Sequence, residues 1–112
     1  MPARTGEQFL KGLRGSREVW VDGERIADVV DHPKLRGAAH ALADVYDLHH
    51  KHADICLAAD PETGEAIPVS HVIPRSRDDL ARRHQALRQV AEYSVGLMGR
   101  TPDYMNVTYA GF

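Results

Sequence analysis

Arg100 and Tyr104 are the two side chains whose types and spacing most clearly indicate chemistry. They lie four residues apart in the segment Gly99-Arg100-Thr101-Pro102-Asp103-Tyr104, on either side of a predicted helix start. A guanidinium can stabilise a developing phenolate or carboxylate, and a phenol can donate a directional hydrogen bond to the same oxygen. The spacing therefore indicates a ligand site. The structural alternative is that Arg100 pairs with Asp103 while Tyr104 packs into the core.

Four histidines lie close enough in the sequence to be considered as metal ligands: His40, His49, His50 and His52. No pair among them has the four-residue spacing with which one helix face presents two imidazoles to a metal, and no carboxylate signature accompanies them. We predict no metal site. We expect these histidines at the solvated C-terminal end of one helix, where a protonated imidazole suits the helix dipole.

Cys56, Trp20 and an acidic run are better explained by structure than by chemistry. Cys56 is the single cysteine and lies between Ile55 and Leu57, which predicts a small buried hydrophobe rather than a nucleophile. We expect Trp20 to anchor packing in a hairpin. The acids of the run 60–65 lack the EF-hand spacing, so a polar turn is predicted instead of a calcium site; they are Asp60, Glu62 and Glu65.

Length and charge exclude several classes of protein. The chain has 112 residues, with 14 Lys and Arg against 16 Asp and Glu. One domain of this size can bury roughly two thirds of its unfolded surface. The scattered basic residues indicate neither a nucleic-acid interface nor a membrane-binding patch, and no stretch approaches the ~18 apolar residues of a membrane span. Because no signal-peptide pattern is present and only one cysteine occurs, we expect a cytoplasmic protein.

Caps and turns predict the elements of the first part of the chain. The capping box Thr5-Gly6-Glu7-Gln8 predicts a short helix that Gly15 ends in the left-handed conformation. Strands are expected at Val19–Val21 and Glu24–Ile26, around a type I′ turn formed by Asp22-Gly23.

A second helix is predicted from Pro33, because the missing N–H of proline costs nothing at the first helical position. Residues 55–58 and 66–71 are expected to form short strands, with Pro68 excluding a central position in a sheet. The apolar stripe of the second helix repeats at helical spacing: Leu35, Ala38, Ala39, Leu42, Val45 and Tyr46.

Ser76 caps the strongest predicted helix, which Gly99 should end. Thr101 and Pro102 then offer a cap and a first position for a last helix. The apolar end at Phe112 lacks the polar tail of most finished domains, which predicts a chain that continues. The stripe expected on the strongest helix is Leu80, His84, Leu87, Ala91, Val95 (or Ser94) and Met98. The fold class expected is mainly α with a small β-hairpin.

Five stretches of the sequence, in this order, are typical of one enzyme family. They are RTGEQFL (4–10), REVW (17–20), DPETGE (60–65), IPRS (73–76) and GLMGRTPDYMN (96–106). Together they resemble the N-terminal domain of the 4-hydroxyphenylacetate 3-hydroxylase family of flavin-dependent monooxygenases. The resemblance covers essentially the whole chain, and several matched stretches in one order are far more specific than one motif.

The resemblance implies a fold and an activity. Residues 1–112 would be the N-terminal helical domain of an acyl-CoA dehydrogenase-like fold, whose central β-barrel and C-terminal helical bundle are not in this chain. The complete enzyme would be the oxygenase component that hydroxylates phenols ortho to the OH, using O2 and reduced FAD from a separate flavin reductase. Family members commonly form homo-oligomers, usually tetramers. The chemistry requires a dry pocket and groups that stabilise phenolate character in the substrate.

The resemblance also implies a site. Arg100 and Tyr104 match the residues that family members place around the phenolic oxygen near the flavin, so the spacing and the resemblance indicate the same pair. A histidine that completes this cluster, and most flavin-binding residues, would lie beyond Phe112. We therefore expect the 112-residue chain alone to be inactive.

Two other functions stay open at this point. The superfamily contains the iron–sulfur flavoprotein 4-hydroxybutyryl-CoA dehydratase, whose members carry cluster-ligating cysteines in about this region, where the present sequence has none. The other alternative is a truncated, free-standing helical module that binds a partner and has no catalytic activity.

Overall fold

The computed structural model describes residues 2–98 and 102–111, and the helical fold class is confirmed. Its helices are α1 (Gly6–Leu13), α2 (Arg36–Lys51), α3 (Ala53–Cys56), α4 (Arg77–Ser94) and α5 (Pro102–Ala110). The strands β1 (Val19–Val21) and β2 (Glu24–Ile26) form one antiparallel hairpin, and β3 (Leu57–Ala59) and β4 (Ala66–Pro68) form a second. A 3₁₀ turn covers Val69–His71. None of the helices in the described ranges is long and apolar enough to cross a membrane.

The described residues divide into two compact units. Residues 4–47 form one unit, and residues 48–111 together with residues 2 and 3 form the other. The first contains α1, the hairpin of β1 and β2, and α2 up to residue 47. The second contains the last turn of α2 (48–51), α3, β3, β4, the 3₁₀ turn, α4 and α5. Each unit is described by itself below.

In the first unit, a glycine lets α1 approach α2 closely. The Thr5 capping box is confirmed, since Thr5 Oγ1 accepts from the Gln8 N–H at 3.2 Å and Gln8 Oε1 accepts from the Thr5 N–H at 3.0 Å. The buried Gly6 then donates its N–H to Asp47 Oδ1 at 2.7 Å. A Cβ at Gly6 would lie 2.6 Å from the carbonyl oxygen of Ala43 and from Asp47 Oδ2. Only glycine fits at this position without a shift of backbone.

The end of α1 and the environment of Trp20 differ from prediction. The helix ends at Leu13, with Arg14 as its C-cap at φ −80°, and Gly15 is not left-handed. The Arg14 N–H bonds to Lys11 O instead, which closes the last turn without a positive φ.

Trp20 is exposed and donates its indole N–H to Glu18, so the prediction that it anchors packing in the hairpin is wrong.

The hairpin of the first unit is confirmed, and α2 begins later than predicted. Asp22 and Gly23 have φ values of 52° and 78°, as a type I′ turn requires. Residues 32–35 form a turn in which His32 O accepts from the N–H groups of Leu35 and Arg36, so α2 starts at Arg36 rather than Pro33. Of the predicted stripe, Ala39 and Val45 are buried whereas Ala38 is exposed.

In the second unit, the two predicted strands are shorter than expected. Ile55 and Cys56 end α3, and β3 begins only at Leu57. β4 stops at Pro68, and the chain continues as the Val69–His71 turn. Pro68 lies in a two-stranded sheet and so in an edge strand, as predicted.

The capping of α4 is confirmed, but its inward face is not the one predicted. Ser76 Oγ accepts from the Asp79 N–H at 3.1 Å, and Asp79 Oδ2 accepts from the Ser76 N–H at 2.9 Å. Ala86 and Val90 are the buried residues of the helix, whereas four members of the predicted stripe are exposed: Leu80, His84, Ala91 and Val95. The buried face is displaced around the helix because Ala86 packs in a core cluster with Cys56 and Val69.

The end of α4 at Ser94 is also earlier than predicted, and it places a valine in an unfavourable conformation. Val95 is left-handed at φ 53° and is followed by Gly96 at φ 71°. The N–H groups of these two residues bond to Glu92 O and Ala91 O, which closes the helix. Gly99, the predicted end, lies outside the described residues. A β-branched residue with positive φ is strained, because its Cβ crowds the following carbonyl oxygen.

We predict that Gly6→Ala lowers the free energy of unfolding by about 2 kcal/mol, because the added methyl overlaps backbone at Ala43. Gly12→Ala is the matched control, since a Cβ there meets nothing within 4 Å. It should leave stability unchanged or raise it by up to about 1 kcal/mol, as alanine favours helix. Denaturant titration of both variants measures the difference. Equal stability of the two variants would contradict the close approach.

We predict that Val95→Asn raises the free energy of unfolding by about 1 kcal/mol, because asparagine tolerates positive φ better than valine. Leu97→Asn is the control: Leu97 is 88% exposed and Val95 is 82% exposed, but Leu97 has no positive φ. Thermal unfolding of both variants separates relief of backbone strain from loss of exposed apolar surface. A gain of the same size in Leu97→Asn would show that the backbone conformation is not the cause.

Candidate functional site

Tyr104 lies on the outward face of α5, and Arg100 lies outside the described residues. The helix has two faces at helical spacing. Its inward side carries Asp103, Asn106, Val107 and Ala110, and its outward side carries Tyr104, Met105, Thr108 and Tyr109. Tyr104 is 52% exposed, so the structural alternative, in which it packs into the core, is wrong. The structure leaves its side chain accessible to a ligand.

Asp103, the residue just before Tyr104, is buried and hydrogen-bonded through both carboxylate oxygens. The side chain of His49 donates from Nε2 to Asp103 Oδ2 at 2.8 Å, and Ser70 Oγ donates to Asp103 Oδ1 at 2.6 Å. Asp103 is 4% exposed, His49 3% and Ser70 2%. Three elements of the second unit therefore meet at this carboxylate, namely the end of α2, the Val69–His71 turn and α5.

Asn106 extends this arrangement by one helical turn. Its Nδ2 donates to Ser70 Oγ at 3.2 Å and lies 3.5 Å from His71 Nδ1. Because Ser70 both donates to Asp103 and accepts from Asn106, its hydroxyl has a defined orientation. We refer to His49, Ser70, Asp103 and Asn106 as the Asp103 network.

Burial and charge perturb the titratable groups around this network. Burial by itself would raise the pKa of Asp103, but the hydrogen bond and charge of His49, with the Ser70 hydroxyl, outweigh it and hold the pKa below its usual value. Burial lowers the pKa of His71, although the nearby Asp103 charge opposes this effect. Burial, together with the negative charges of Asp103 and Asp54, raises the pKa of Cys56 to about 11.

Cys56 and the acidic run behave as predicted. The thiol of Cys56 is buried, and its raised pKa keeps it protonated at neutral pH, so it is a small hydrophobe rather than a nucleophile. Asp60 Oδ1 accepts from the N–H groups of Glu62 and Thr63, which makes the run a polar turn. Within residues 2–98 and 102–111, no three His, Cys, Asp or Glu side chains form a group that could hold a metal ion.

The prediction for the histidines is wrong for His49 and His52. His49 is buried against Asp103, not solvated, and His52 follows the end of α2 at Lys51. A sequence signal for the burial of His49 does exist: it lies four residues after Val45, so it continues the buried stripe of α2. Its partner Asp103 is 54 residues away, and no local pattern connects the two.

A pocket in the second unit lies away from α5. It has a volume of about 30 Å³ and is lined by residues of β3, the 3₁₀ turn, α4 and their connections. This is below the roughly 300–1,000 Å³ of typical small-molecule sites. Its lining residues are Ala58, Val69, Val72, Asp79 and Arg82, so it does not include Tyr104.

Comparison with solved structures defines the class of fold. The oxygenase component (HpaB) of 4-hydroxyphenylacetate 3-monooxygenase, complexed with FAD and 4-hydroxyphenylacetate, matches 96% of this chain with a TM-score of 0.87 and 34% identity. An archaeal 4-hydroxybutyryl-CoA dehydratase from N. maritimus matches 82% of it with a TM-score of 0.69 and 28% identity. The match covers 23% of the first protein and 19% of the second. The chain thus has the N-terminal helical fold of an acyl-CoA dehydrogenase-like protein.

Sequence comparison identifies the family. The family model described as "4-hydroxyphenylacetate 3-hydroxylase N terminal" matches residues 5–112, and the chain belongs to this family. The oxygenase component of 4-hydroxyphenylacetate 3-monooxygenase from Geobacillus sp. is 34% identical over 95% of the chain. The oxygenase component of a 4-nitrophenol 4-monooxygenase/4-nitrocatechol 2-monooxygenase from Rhodococcus opacus is 40% identical over 93%. The chain spans only 22% and 20% of these two relatives.

We predict that Asp103→Asn destabilises the protein by about 3 kcal/mol near neutral pH, because the buried His49 and Ser70 lose the charged acceptor of their hydrogen bonds. The folded pKa of Asp103 is lowered, so its contribution to stability is present above its unfolded pKa and is lost as pH falls through the folded value. The difference in unfolding free energy between wild type and variant should therefore be constant above about pH 5 and shrink as the pH falls below the ordinary aspartate pKa of 3.8.

Asp78→Asn is the control for this prediction, because Asp78 is an exposed carboxylate on α4. It should cost little at any of these pH values. Denaturant unfolding across the pH series measures all three proteins. A difference between wild type and Asp103→Asn that does not change with pH would contradict the assignment of an ionised, paired Asp103.

Proposed function

We propose that residues 1–112 are the N-terminal helical domain of a reduced-FAD-dependent aromatic monooxygenase. As the oxygenase component, the whole protein would hydroxylate a phenol ortho to its OH, with O2 as co-substrate. A central β-barrel and a C-terminal helical bundle would complete it. The observation that carries this proposal is the family match over residues 5–112, supported by 34% identity to an enzyme solved with FAD and 4-hydroxyphenylacetate.

Arg100 and Tyr104 are the proposed catalytic residues of this chain. The Tyr104 phenol would donate a hydrogen bond to the phenolic oxygen of the substrate, and the Arg100 guanidinium would favour its ionised form. A phenolate is a better carbon nucleophile than a phenol, because the oxygen's negative charge is delocalised onto the ortho and para carbons. The exposure of Tyr104 on α5 supports this role, since its side chain is accessible at the start of the helix.

The described residues supply one wall of a flavin and phenol site rather than an enclosed pocket. The outward face of α5 is open: Tyr104 is 52% exposed and Tyr109 is 69% exposed. Small-molecule sites cover most of their ligand, so residues of the rest of the protein must complete this one. Reduced FAD, once bound, supplies the two electrons that convert one oxygen atom of O2 to water while the other enters the ring. No flavin-binding residue is assigned in this chain.

The partners and location follow from the same proposal. Relatives named as oxygenase components support a separate flavin reductase as the source of reduced FAD. We further propose that the complete protein is a homo-oligomer, with a tetramer as the expected form, and that it works in the cytoplasm. A single, buried cysteine is consistent with a reducing compartment.

A dehydratase is the second candidate, because the archaeal 4-hydroxybutyryl-CoA dehydratase shares this fold with a TM-score of 0.69. An iron–sulfur cluster is held mainly by cysteine thiolates. Cys56 is the single cysteine, and its pKa of about 11 disfavours the thiolate that a cluster needs. These properties favour the monooxygenase.

The exposed aromatic face of α5 argues against the third candidate, a free-standing module, because such a face is typical of a surface that other residues cover.

We predict that Tyr104→Phe in the complete protein lowers kcat/KM for phenol hydroxylation by about 10- to 100-fold, the effect of one lost hydrogen bond to a charged oxygen. Arg100→Ala should lower it by about 100-fold or more. The assay uses a flavin reductase, FAD and a panel that includes 4-hydroxyphenylacetate and 4-nitrophenol. Tyr109→Phe, on the same exposed face, is the matched control and should keep wild-type activity. Full activity of both site variants would remove Arg100 and Tyr104 from the mechanism.

A further inference from the structure

The start of α5 needs an anchor if Tyr104 is to act on a substrate oxygen. A nine-residue helix is marginal by itself, because nucleation is costly and few backbone hydrogen bonds follow. Its apolar inward residues, Val107 and Ala110, are only half-buried. Asp103 is the most deeply buried side chain of residues 103–111. A polar contact rather than an apolar one therefore provides the deepest attachment of α5.

The Asp103 network can fix both the position and the rotation of α5. The two carboxylate oxygens of Asp103 bond to partners on different elements, His49 on α2 and Ser70 on the 3₁₀ turn. Asn106, one turn later on α5, bonds to the same Ser70 hydroxyl. Hydrogen bonds are directional, whereas apolar contacts allow a helix to slide or turn. Contacts from two successive turns of α5 thus converge on one point of the unit.

Rotation of α5 translates directly into displacement of the Tyr104 phenol. Tyr104 follows Asp103 in sequence, so it projects about 100° around the helix from the anchored carboxylate. Catalytic groups must be held within about 0.5 Å of their productive position, and a misplacement of about 1 Å can cost 100-fold in rate. His49 and Ser70 are buried and lie on the opposite side of Asp103 from solvent, so they would act through α5 rather than on a ligand.

We propose that the Asp103 network is a positioning device for the proposed site: it holds the first turn of α5 so that Tyr104 meets the phenolic oxygen. His49, Ser70 and Asp103 are positioning residues, not catalytic ones. This inference rests on the proposed function for its effect on activity. The anchoring of α5 is independent of that function and can be measured separately.

The first test measures coupling between Asp103 and Tyr104 in the complete protein. Asp103→Asn should lower kcat/KM for hydroxylation of the preferred phenol by about 10-fold or more, a loss like that of a misplaced catalytic group. If the network acts through Tyr104, then Tyr104→Phe added to Asp103→Asn should cost less than about 3-fold further, because sites that share one interaction are not additive. Losses that multiply fully in the double variant would overturn the proposal.

Two further variants separate positioning from general loss of stability. Val90→Ala removes a buried side chain of α4 that is outside the Asp103 network, and it should leave kcat/KM unchanged at temperatures where the protein is folded. Ser70→Ala removes one hydrogen bond to Asp103. It replaces Asp103→Asn in this test if Asp103→Asn does not fold. A loss of activity in Val90→Ala equal to that in Asp103→Asn or Ser70→Ala would count against positioning.

Amide hydrogen exchange tests the anchor without any assay of activity. Asp103→Asn and Ser70→Ala should speed exchange in α5 by about 10-fold or more relative to α4, whereas Val90→Ala should mainly affect α4. Unchanged exchange in α5 would overturn the proposal even if the enzyme is active. If exchange in α5 rises but the wild-type protein hydroxylates no phenol of the panel, the anchor stands and the proposed function fails.

Discussion

The buried carboxylate of Asp103 is the constraint on which the arrangement of the second unit most depends. A charge removed from water is costly unless it is paired and hydrogen-bonded. His49 and Ser70 meet this requirement with one bond to each oxygen, and their own burial then forces the end of α2 and the Val69–His71 turn to lie against α5. The same charge raises the pKa of the Cys56 thiol and opposes the lowering of the His71 pKa. One pairing therefore sets both the packing and the electrostatics of this region.

The accessibility of Tyr104 follows from that pairing through helix geometry. Since Asp103 and Asn106 must face the interior, residues 104, 105, 108 and 109 are turned outward at helical spacing. These outward residues include Tyr104, Met105 and Tyr109, which are better suited to contact an aromatic ligand or an apolar surface than water. The helix thus separates an inward, structural side from an outward side rich in exposed aromatic residues.

Local rules predicted most elements from the sequence, whereas the wrong predictions for the buried face of α4 and for His49 involve distant partners. The capping boxes at Thr5 and Ser76 and the Asp22-Gly23 turn depend on neighbours within a few residues, so they were predictable. The buried face of α4 depends on Cys56 and Val69, which periodicity cannot identify. His49 was assigned to solvent for the same reason, because its partner is 54 residues away. Tyr104 was proposed from its type, its spacing and the family resemblance, whereas no local pattern connects His49 or Ser70 with Asp103.

The fold alone does not choose between the candidate reactions, because this helical domain resembles both a monooxygenase component and a dehydratase. A shared fold leaves the chemistry to the side chains that it presents. An arginine and a tyrosine four residues apart suit an oxygen anion, while a metal cluster requires soft thiolate ligands. A network that holds the first turn of α5 is useful in either case, since any site at this helix start needs a fixed geometry. The proposal of a phenolic substrate therefore depends on the identity of residues 100 and 104. The proposal that Tyr104 is held in a fixed position depends on Asp103.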